Sequence, residues 1–595
     1  MTTPSDSELD KAADRPFHRN LPATPPTIYS PEATTKVISV EQINRFFHDP
    51  APPPSAMCPQ RFPGSDPEST DTLIRTLSHN HLSWHIFFNF KRFQNHAAHH
   101  LLCIWAMGAS GHLLDAIYAS HYAFQRPAFK SPRPITRENY RRHLGDEKYY
   151  SAFLAFFKSE LLEKGLSECL EEYVLSSAAN LAPIDVHDGK HPGMLSRLIT
   201  VIFHALIHVG YGAEFGLLGL SAEGLAMTAT HPPNLNLVNR AWFSDAIPET
   251  DQMGGTQNAI TLLALVACDP RFENIKPMEV PTMLRSALQE YGPAIREYVE
   301  MWKFDATSDT GIATAVEELS WVNTMIYGVG GHLPRSQKFR ADFLLMHLLT
   351  SSLFLPSLLA NISKFSSRRA FLLTYFTASL ACYIGRGRPA LDLRAFYNNT
   401  EHFLHQVPGL DSSPAPGTFP SPSSDSSQTS NVWLPLIQSA LASPNTHLCK
   451  LHRALVHYSC LYGKHRKGWA NAQSIGEGAE DTVGLGELDG TLFLRVAMLT
   501  QNRLGWKRGG DPEQHWDFDG FFEPDEVLQS DISAPHPVSS SLLSLVLSFH
   551  FFAPTYFYLI SLAPLLVSTF DLFYHTSRRL LLGYQTLQHF LTSRT

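Results

Sequence analysis

Histidines that lie inside apolar, helix-like segments are the residues of this sequence best suited to chemistry. A buried histidine has to be hydrogen-bonded or metal-bound, because an unpaired polar group in an apolar interior is costly. Several imidazoles that converge from different helices are ligands that a redox metal uses. We therefore predict a metal site, with core histidines that are only hydrogen-bonded as the alternative. The candidate ligands are His96, His99, His204, His208 and His347.

The spacing of these histidines sorts them into pairs. Residues three or four positions apart share one face of a helix, so we expect His96 beside His99 and His204 beside His208. Two such pairs on facing helices, with His347 on a third helix, would form a site of the kind that helical bundles build from inward side chains.

Acidic metal ligands are scarce on the same segments. Glu214, Glu223 and Asp342 are the nearest carboxylates, and we interpret each as a helix-surface group or a cap. An all-imidazole site would leave the charge of a metal ion uncompensated, and Lys450 is a candidate for the missing anion. A lysine in an apolar helix tends to lose its proton, and a neutral amine can take up carbon dioxide to become a carbamate. The alternative is a surface lysine beside Arg453 whose ammonium reaches solvent.

Composition and missing motifs exclude several classes of protein. The net charge of -8 argues against nucleic-acid binding, which usually needs a basic face. The 7 scattered cysteines form no CxxC pair, so a reducing, intracellular compartment is the simplest fit. The sequence has no GxGxxG turn after a strand, no P-loop and no GxSxG elbow. These absences argue against a Rossmann flavoenzyme, a P-loop NTPase and the common hydrolases.

Apolar residues recur at helical spacing around the histidines, and strand-like alternation is scarce, so we predict an all-α domain over residues 76–535. Residues 1–75 are rich in Pro, Ser, Thr and Asp and are predicted to be a disordered extension. The Ser/Pro-rich run 406–431 is predicted to be a disordered insertion, and the glycine-rich segment 463–510 is predicted to form loops.

Local signals predict where the histidine-bearing helices end. Ser110 is expected to cap the helix that follows the one with His96. The helix with His204 is expected to end near Gly210 and Gly212, because glycine suits a C-terminal cap.

The C-terminal tail, residues 536–595, differs from the rest of the chain. Its segment 542–570 is almost wholly apolar and exceeds the length of about 20 residues that spans a bilayer. Pro554 and Pro564 interrupt the segment, so a buried or surface-docked helical hairpin is the alternative to a membrane helix. The first residues lack the apolar stretch of a signal peptide, and we expect a cytoplasmic protein or one attached to a membrane by this tail.

Several motifs in their order along the chain resemble the questin oxidase-like family, which includes oxidases of fungal polyketide pathways. The resemblance covers about residues 80–522, and its most specific stretch is 204–215. The other matching stretches are 95–102, 108–110, 125–127, 222–226, 347–352, 387–389, 447–455 and 516–522.

The resemblance implies oxidation of anthraquinone-type or xanthone-type polyketides, with ring opening of the Baeyer–Villiger kind and NADPH as the reductant. A related ring-cleaving member carries non-haem iron on four histidines and a carboxylated lysine. Carried onto this chain, this implies a metal site drawn from His96, His99, His204, His208, His347 and Lys450, which is one histidine too many. His100 and His447 remain in reserve as ligands.

The function expected from the sequence is therefore an all-α oxygenase that uses Fe(II) and O2 to cleave a quinone ring of an aromatic polyketide. His96, His204 and His208 are its expected catalytic residues, and His208→Ala is expected to abolish iron binding. One alternative is a metal-free, NADPH-dependent oxidase whose histidines act as acid and base groups. The other is a non-enzymatic helical scaffold that the apolar tail tethers to a membrane.

Overall fold

Helices form almost all of the regular structure, which confirms the all-α prediction. The computed structural model describes residues 40–183, 191–244, 257–334, 336–404, 431–470, 482–506 and 514–522. In chain order the α-helices are α1 (Val40–Asn44), α2 (Pro67–Ser83), α3 (Ala97–Ala106), α4 (Gly111–Tyr122), α5 (Tyr150–Leu170), α6 (Ser177–Leu181), α7 (Met194–Ile199), α8 (His204–Phe215), α9 (Leu218–Thr230), α10 (Ala259–Cys268), α11 (Met283–Met301), α12 (Asp309–Thr324), α13 (Phe343–Ser352), α14 (Leu355–Leu359), α15 (Phe365–Gly385), α16 (Leu393–Thr400), α17 (Trp433–Leu441), α18 (Thr446–Tyr462) and α19 (Leu492–Leu504).

Short elements complete the secondary structure of the described residues. Strands β1 (His332–Leu333) and β2 (Lys338–Phe339) pair antiparallel, with His332 opposite Phe339. The π-helical turns are Glu171–Leu175 and Met325–Val329. The 3-10 turns are Tyr140–His143, Glu147–Tyr149, Leu235–Leu237, Arg240–Phe243, Pro270–Phe272, Glu401–Leu404 and Leu485–Glu487.

Polar caps begin α4, α13 and α18, and the last two of these helices carry candidate site residues. Ser110 accepts a hydrogen bond from Leu113 N at the start of α4, as expected. Asp342 accepts from the backbone at the start of α13, and Asn445 does so at the start of α18. Each cap satisfies backbone N–H groups that have no partner inside the helix, so the position of the first turn is defined.

The helix that begins at His204 does not end at its glycines as predicted. α8 continues to Phe215, and the left-handed residue at its C-terminus is Gly216, with a φ of 71°. Gly212 instead allows α9 to approach closely, because a Cβ there would lie 2.6 Å from the backbone nitrogen of Ser221. A small residue at such a crossing lets two helix backbones pack together.

The described residues also revise two predicted boundaries. The first described helix begins at Val40, and Phe46 and Phe47, inside the predicted extension, are buried in the core. The segment 463–510 contains α19, because Phe493, Val496 and Ala497 give it a buried apolar face that its glycines had obscured.

Other predictions fall outside the described residues. They concern residues 1–39, nearly all of the insertion 406–431, and the apolar tail. Among the helices that the structure describes, none has the length and apolar character needed to cross a bilayer.

Candidate metal centre

Four histidines from four parts of the chain form a closed ring of imidazoles, which we call the histidine ring. His96 precedes α3, His204 begins α8, His347 lies in α13 and His447 lies in α18. Neighbouring ring centroids around this set lie 5.0, 4.9, 5.1 and 4.9 Å apart. Nitrogens of His96, His204 and His447 all lie within 4.8 Å of one another. This spacing suits one metal ion bound by several imidazoles.

Backbone carbonyl groups determine which nitrogen each imidazole turns inward. The Nδ1 atoms of His96, His204 and His347 donate to the carbonyl oxygens of Gln94, Val201 and Phe343 at 2.6, 2.8 and 2.7 Å. A carbonyl oxygen can only accept, so Nδ1 carries the proton and Nε2 of a neutral ring is a bare lone pair. Holding a ligand imidazole through its other nitrogen is the usual support of a metal site.

The inward nitrogens have no hydrogen-bond donor among the described residues. Nε2 of His96 and Nε2 of His204 face each other at 3.0 Å, although neither carries a proton to donate. Nε2 of His347 and Nε2 of His447 are buried without a partner among the described residues. Facing lone pairs repel, and a cation between them removes the repulsion. The residues present therefore fit a metal ion.

Burial keeps these imidazoles neutral. Burial, with a further contribution from the Lys450 charge, holds the pKa of His96 well below its ordinary value. The same two causes lower the pKa of His204 to about 3. Burial also places the pKa values of His347 and His447 well below normal. A neutral imidazole is the form that binds metal, so the site needs no deprotonation before loading.

Backbone strain positions His204 at the start of its helix. The three preceding residues, Val201, Ile202 and Phe203, have φ values of 56°, 55° and 61°. This left-handed conformation costs L-residues roughly 1–2 kcal/mol each. It is especially rare for β-branched residues such as Val201 and Ile202. Strain of this kind persists only where the surroundings impose it, and it is common at functional sites.

Lys450 lies one turn after His447 and is not the surface lysine that was the alternative. The residue is 2% exposed, and its Nζ has no hydrogen-bond partner in the described part of the chain. Burial lowers its pKa to about 8. Arg453, which was expected to accompany it at the surface, forms a buried ion pair with Glu214.

The three carboxylates interpreted as surface groups or caps are all buried, so the surface interpretation is wrong. Glu214, Glu223 and Asp342 are 1%, 3% and 1% exposed. Asp342 does cap α13, and it also binds Arg386 at 2.6 Å. Each of the three carboxylates is buried together with a charged or hydrogen-bonding partner, because an isolated buried carboxylate would be very costly.

His99 and His208 lie beside the histidine ring in a separate hydrogen-bonded chain. Nε2 of His99 lies 2.9 Å from Nδ1 of His208, and Nε2 of His208 donates to Glu223 at 2.7 Å. Nδ1 of His81 donates to the other oxygen of Glu223 at 2.6 Å, and Lys158 donates to His81 at 3.2 Å. Both nitrogens of His208 are therefore in use, and neither is free for a metal.

The hydrogen-bonded chain depends on an ionised carboxylate. Burial raises the pKa of Glu223 most strongly, but hydrogen bonds from His208 and His81 outweigh it and lower that pKa to about 2. The reserve ligand His100 lies elsewhere, with Nδ1 at 3.1 Å from Nε2 of His121.

Sequence reasoning missed two groups that support the site. His81 completes the carboxylate network, although its partner Glu223 is 142 positions away. Asn95 accepts from Ala97 N at 3.0 Å and donates to Asn80 at 2.9 Å, which holds the backbone next to His96. The only signal available for either was its place beside a histidine motif.

The chain matches a known family over the region that holds the site. A family model described as questin oxidase-like matches residues 93–455, which contain the four ring histidines and Lys450. The chain belongs to the questin oxidase-like family. This membership confirms the resemblance seen in the sequence motifs.

Individual relatives of this questin oxidase-like chain are oxidative enzymes by name. It is 27% identical over 340 residues to Oxidoreductase AflY of Aspergillus parasiticus, covering 54% of this chain and 64% of the relative. It is 27% identical over 337 residues to Baeyer-Villiger monooxygenase dmxR6 of Cryptosporiopsis, covering 54% and 71%. It is 28% identical over 169 residues to Questin oxidase of Aspergillus terreus, covering 28% and 35%. The chain thus spans less than two thirds of the first and last of these relatives.

Proposed function

We propose that this protein is an oxidoreductase that oxygenates an anthraquinone-type aromatic polyketide, with Baeyer–Villiger-like ring opening, at a non-haem iron centre. Relatives named as an oxidoreductase, a Baeyer-Villiger monooxygenase and a questin oxidase support the reaction class. The iron centre is supported above all by the bare Nε2 atoms of His96 and His204, which face each other at 3.0 Å.

The proposal assigns the metal to the histidine ring. His96, His204 and His347 would hold Fe(II) through Nε2 atoms that carry no proton, and His447 would do so through its buried, unpartnered Nε2. Iron held there would supply the redox chemistry that activates molecular oxygen, with NADPH, the reductant that the resemblance implies, as the source of the electrons that the oxygenation consumes. The carbonyl groups behind three of these rings keep the lone pairs turned inward, so the ligands are preorganised.

Lys450 would supply the negative charge that four neutral imidazoles lack. Its buried amine has a pKa of about 8, so a neutral fraction exists at physiological pH. The amine nitrogen forms a bond to the carbon of carbon dioxide and loses one proton, which leaves an anionic carbamate oxygen. Without such an anion, the charge of the ion would remain uncompensated among buried groups.

The four histidines of the ring are not buried to the same depth. His96 is partly exposed, whereas His204 and His347 are 4% and 0% exposed. An aromatic substrate would approach on the His96 side, with the buried histidines behind the metal.

Iron content of two histidine variants tests the assignment. We expect His447→Ala to lose iron, because it removes an inward nitrogen of the ring. We expect His208→Ala to keep iron, because both nitrogens of His208 are already bonded to His99 and Glu223. This differs from the expectation drawn from sequence alone, which placed His208 on the metal. Loss of iron from His208→Ala with full retention by His447→Ala would overturn the assignment.

Oxygen uptake with a hydroxyanthraquinone tests the reaction. We expect uptake to stop after chelation and to return with iron. Comparison with and without NADPH tests the reductant that the family resemblance implies. Uptake that survives complete metal removal would instead support the metal-free oxidase, whose histidines act as acid and base groups.

A further inference from the structure

Phe518 is a large apolar side chain that stays on the surface close to the histidine ring. It is 46% exposed, and its ring lies 4.9 Å from that of Phe343 at an interplanar angle of 32°. Phe343 in turn contacts the rings of His347 and His447, with centroids 4.8 and 4.9 Å away. Aromatic contact therefore runs without a break from two histidines of the ring to an exposed phenyl group.

The backbone that carries Phe518 is held firmly. Its carbonyl oxygen accepts from Arg386 at 2.6 Å. The backbone N–H of the preceding residue, Asp517, donates to the carbonyl oxygen of Ala341, and its carbonyl oxygen accepts from the N–H of Phe343, both at 2.9 Å. Its carboxylate also forms an ion pair with Arg503. Because its backbone is fixed, the exposed ring of Phe518 keeps its orientation. A binding surface requires such a fixed orientation.

A series of ring contacts links the exposed Phe518 to His96. His447 contacts the partly exposed His96, with ring centroids 4.9 Å apart, and it also contacts Phe343. His447 therefore connects the exposed Phe518, through Phe343, with the partly exposed His96.

We propose that Phe518, with Phe343 behind it, is the platform on which the planar fused rings of the substrate stack at the entrance to the centre. The substrate class rests on the proposed function. Offset stacking of aromatic rings contributes about 0.5–1.5 kcal/mol beyond simple burial, which corresponds to roughly 2- to 10-fold in affinity.

Binding of a planar probe to the full-length chain tests the platform. The probe is 1,8-dihydroxyanthraquinone, and its Kd is measured by quenching of tryptophan fluorescence, with and without iron. We expect Phe518→Ala to weaken binding by roughly 2- to 10-fold. We expect Phe518→Leu to weaken it as well, because leucine is apolar but cannot stack, and Phe518→Trp to restore it.

Phe365 provides a matched control on the same supporting helix. It is 44% exposed and begins α15, whose C-terminal cap is the Arg386 that holds Phe518. The helix is 21 residues long, so Phe365 lies about 30 Å from the end of the helix that Arg386 caps. We expect Phe365→Ala to leave the Kd unchanged.

Three results would overturn the platform: a wild-type chain that does not bind the probe, a Phe518→Ala variant that binds as tightly as wild type, or equal weakening by Phe365→Ala. Iron content, measured in the same preparations, separates this proposal from the proposed function. An iron-loaded wild type with an unchanged Kd in Phe518→Ala refutes the platform alone. An iron-free wild type whose Kd depends on Phe518 refutes the iron centre alone.

Discussion

Replacement of Lys450 by methionine separates two effects of the buried amine, its effect on the stability of the metal-free protein and its effect on iron binding. Methionine keeps an unbranched, apolar chain of similar length and removes the nitrogen that has no partner among the described residues. The pKa of Lys450 is lowered from 10.5 to about 8 by burial. At about 1.4 kcal/mol per unit, the protonated amine destabilises the folded protein by about 3 kcal/mol at neutral pH.

The sign of the pH dependence follows from that shift. Below pH 8, both the folded and the unfolded protein carry the proton on Lys450, so the full cost is present. Between pH 8 and 10.5 the folded protein has released the proton while the unfolded protein keeps it, so wild-type stability rises through this window. We therefore expect Lys450→Met to stabilise the metal-free protein at neutral pH, and we expect the gain to vanish by pH 10.5.

Urea unfolding of chelated, carbon dioxide-free protein at several pH values measures the effect, and the exposed Lys276→Met provides the control. Iron affinity is measured in the same preparations, and we expect it to fall in Lys450→Met because the carbamate is lost. Destabilisation of the chelated variant would refute the argument that the amine lacks a partner. Unchanged iron affinity would refute the carbamate as a ligand.

Three further substitutions, with one control, test the packing around the centre. Glu223→Gln should destabilise the protein by about 3 kcal/mol, because one amide cannot accept from both His208 and His81. Wild type should also lose stability as the pH falls from 4.5 through about 2, where the depressed Glu223 titrates, and acid titration of the variant should lack that component. Asp342→Ala should cost about 3–5 kcal/mol in urea unfolding, because it strands the buried Arg386 and uncaps α13; retention of wild-type stability would contradict this. Gly224→Ala should cost about 1–3 kcal/mol, since its Cβ would lie 2.7 Å from Val209 N. Gly292→Ala, in a helix and with nothing within 4 Å outside its neighbouring residues, should cost less than Gly224→Ala, and equal effects of the two changes would refute the crowding argument.

Local patterns were sufficient for much of the fold. Helical spacing predicted the all-α architecture, and Ser110 was correctly expected as a cap. Glycine was a poor guide, because Gly212 serves helix approach and not termination, and α19 forms inside a glycine-rich segment. The same residue type suits a turn or a close crossing, and only the neighbouring helix distinguishes the two.

The sequence by itself determined that apolar helical segments carry several histidines and a lysine, because residue type and apolar context are local properties. Only the tertiary structure decided which nitrogens face one another. His96 precedes its helix, with φ and ψ of −96° and 1°, so helical spacing does not describe its direction. His208 turns away to Glu223, and His447, held only in reserve, joins the ring from a helix more than 200 positions later in the chain than His204. These choices depend on how distant helices cross, and no short-range pattern records that geometry.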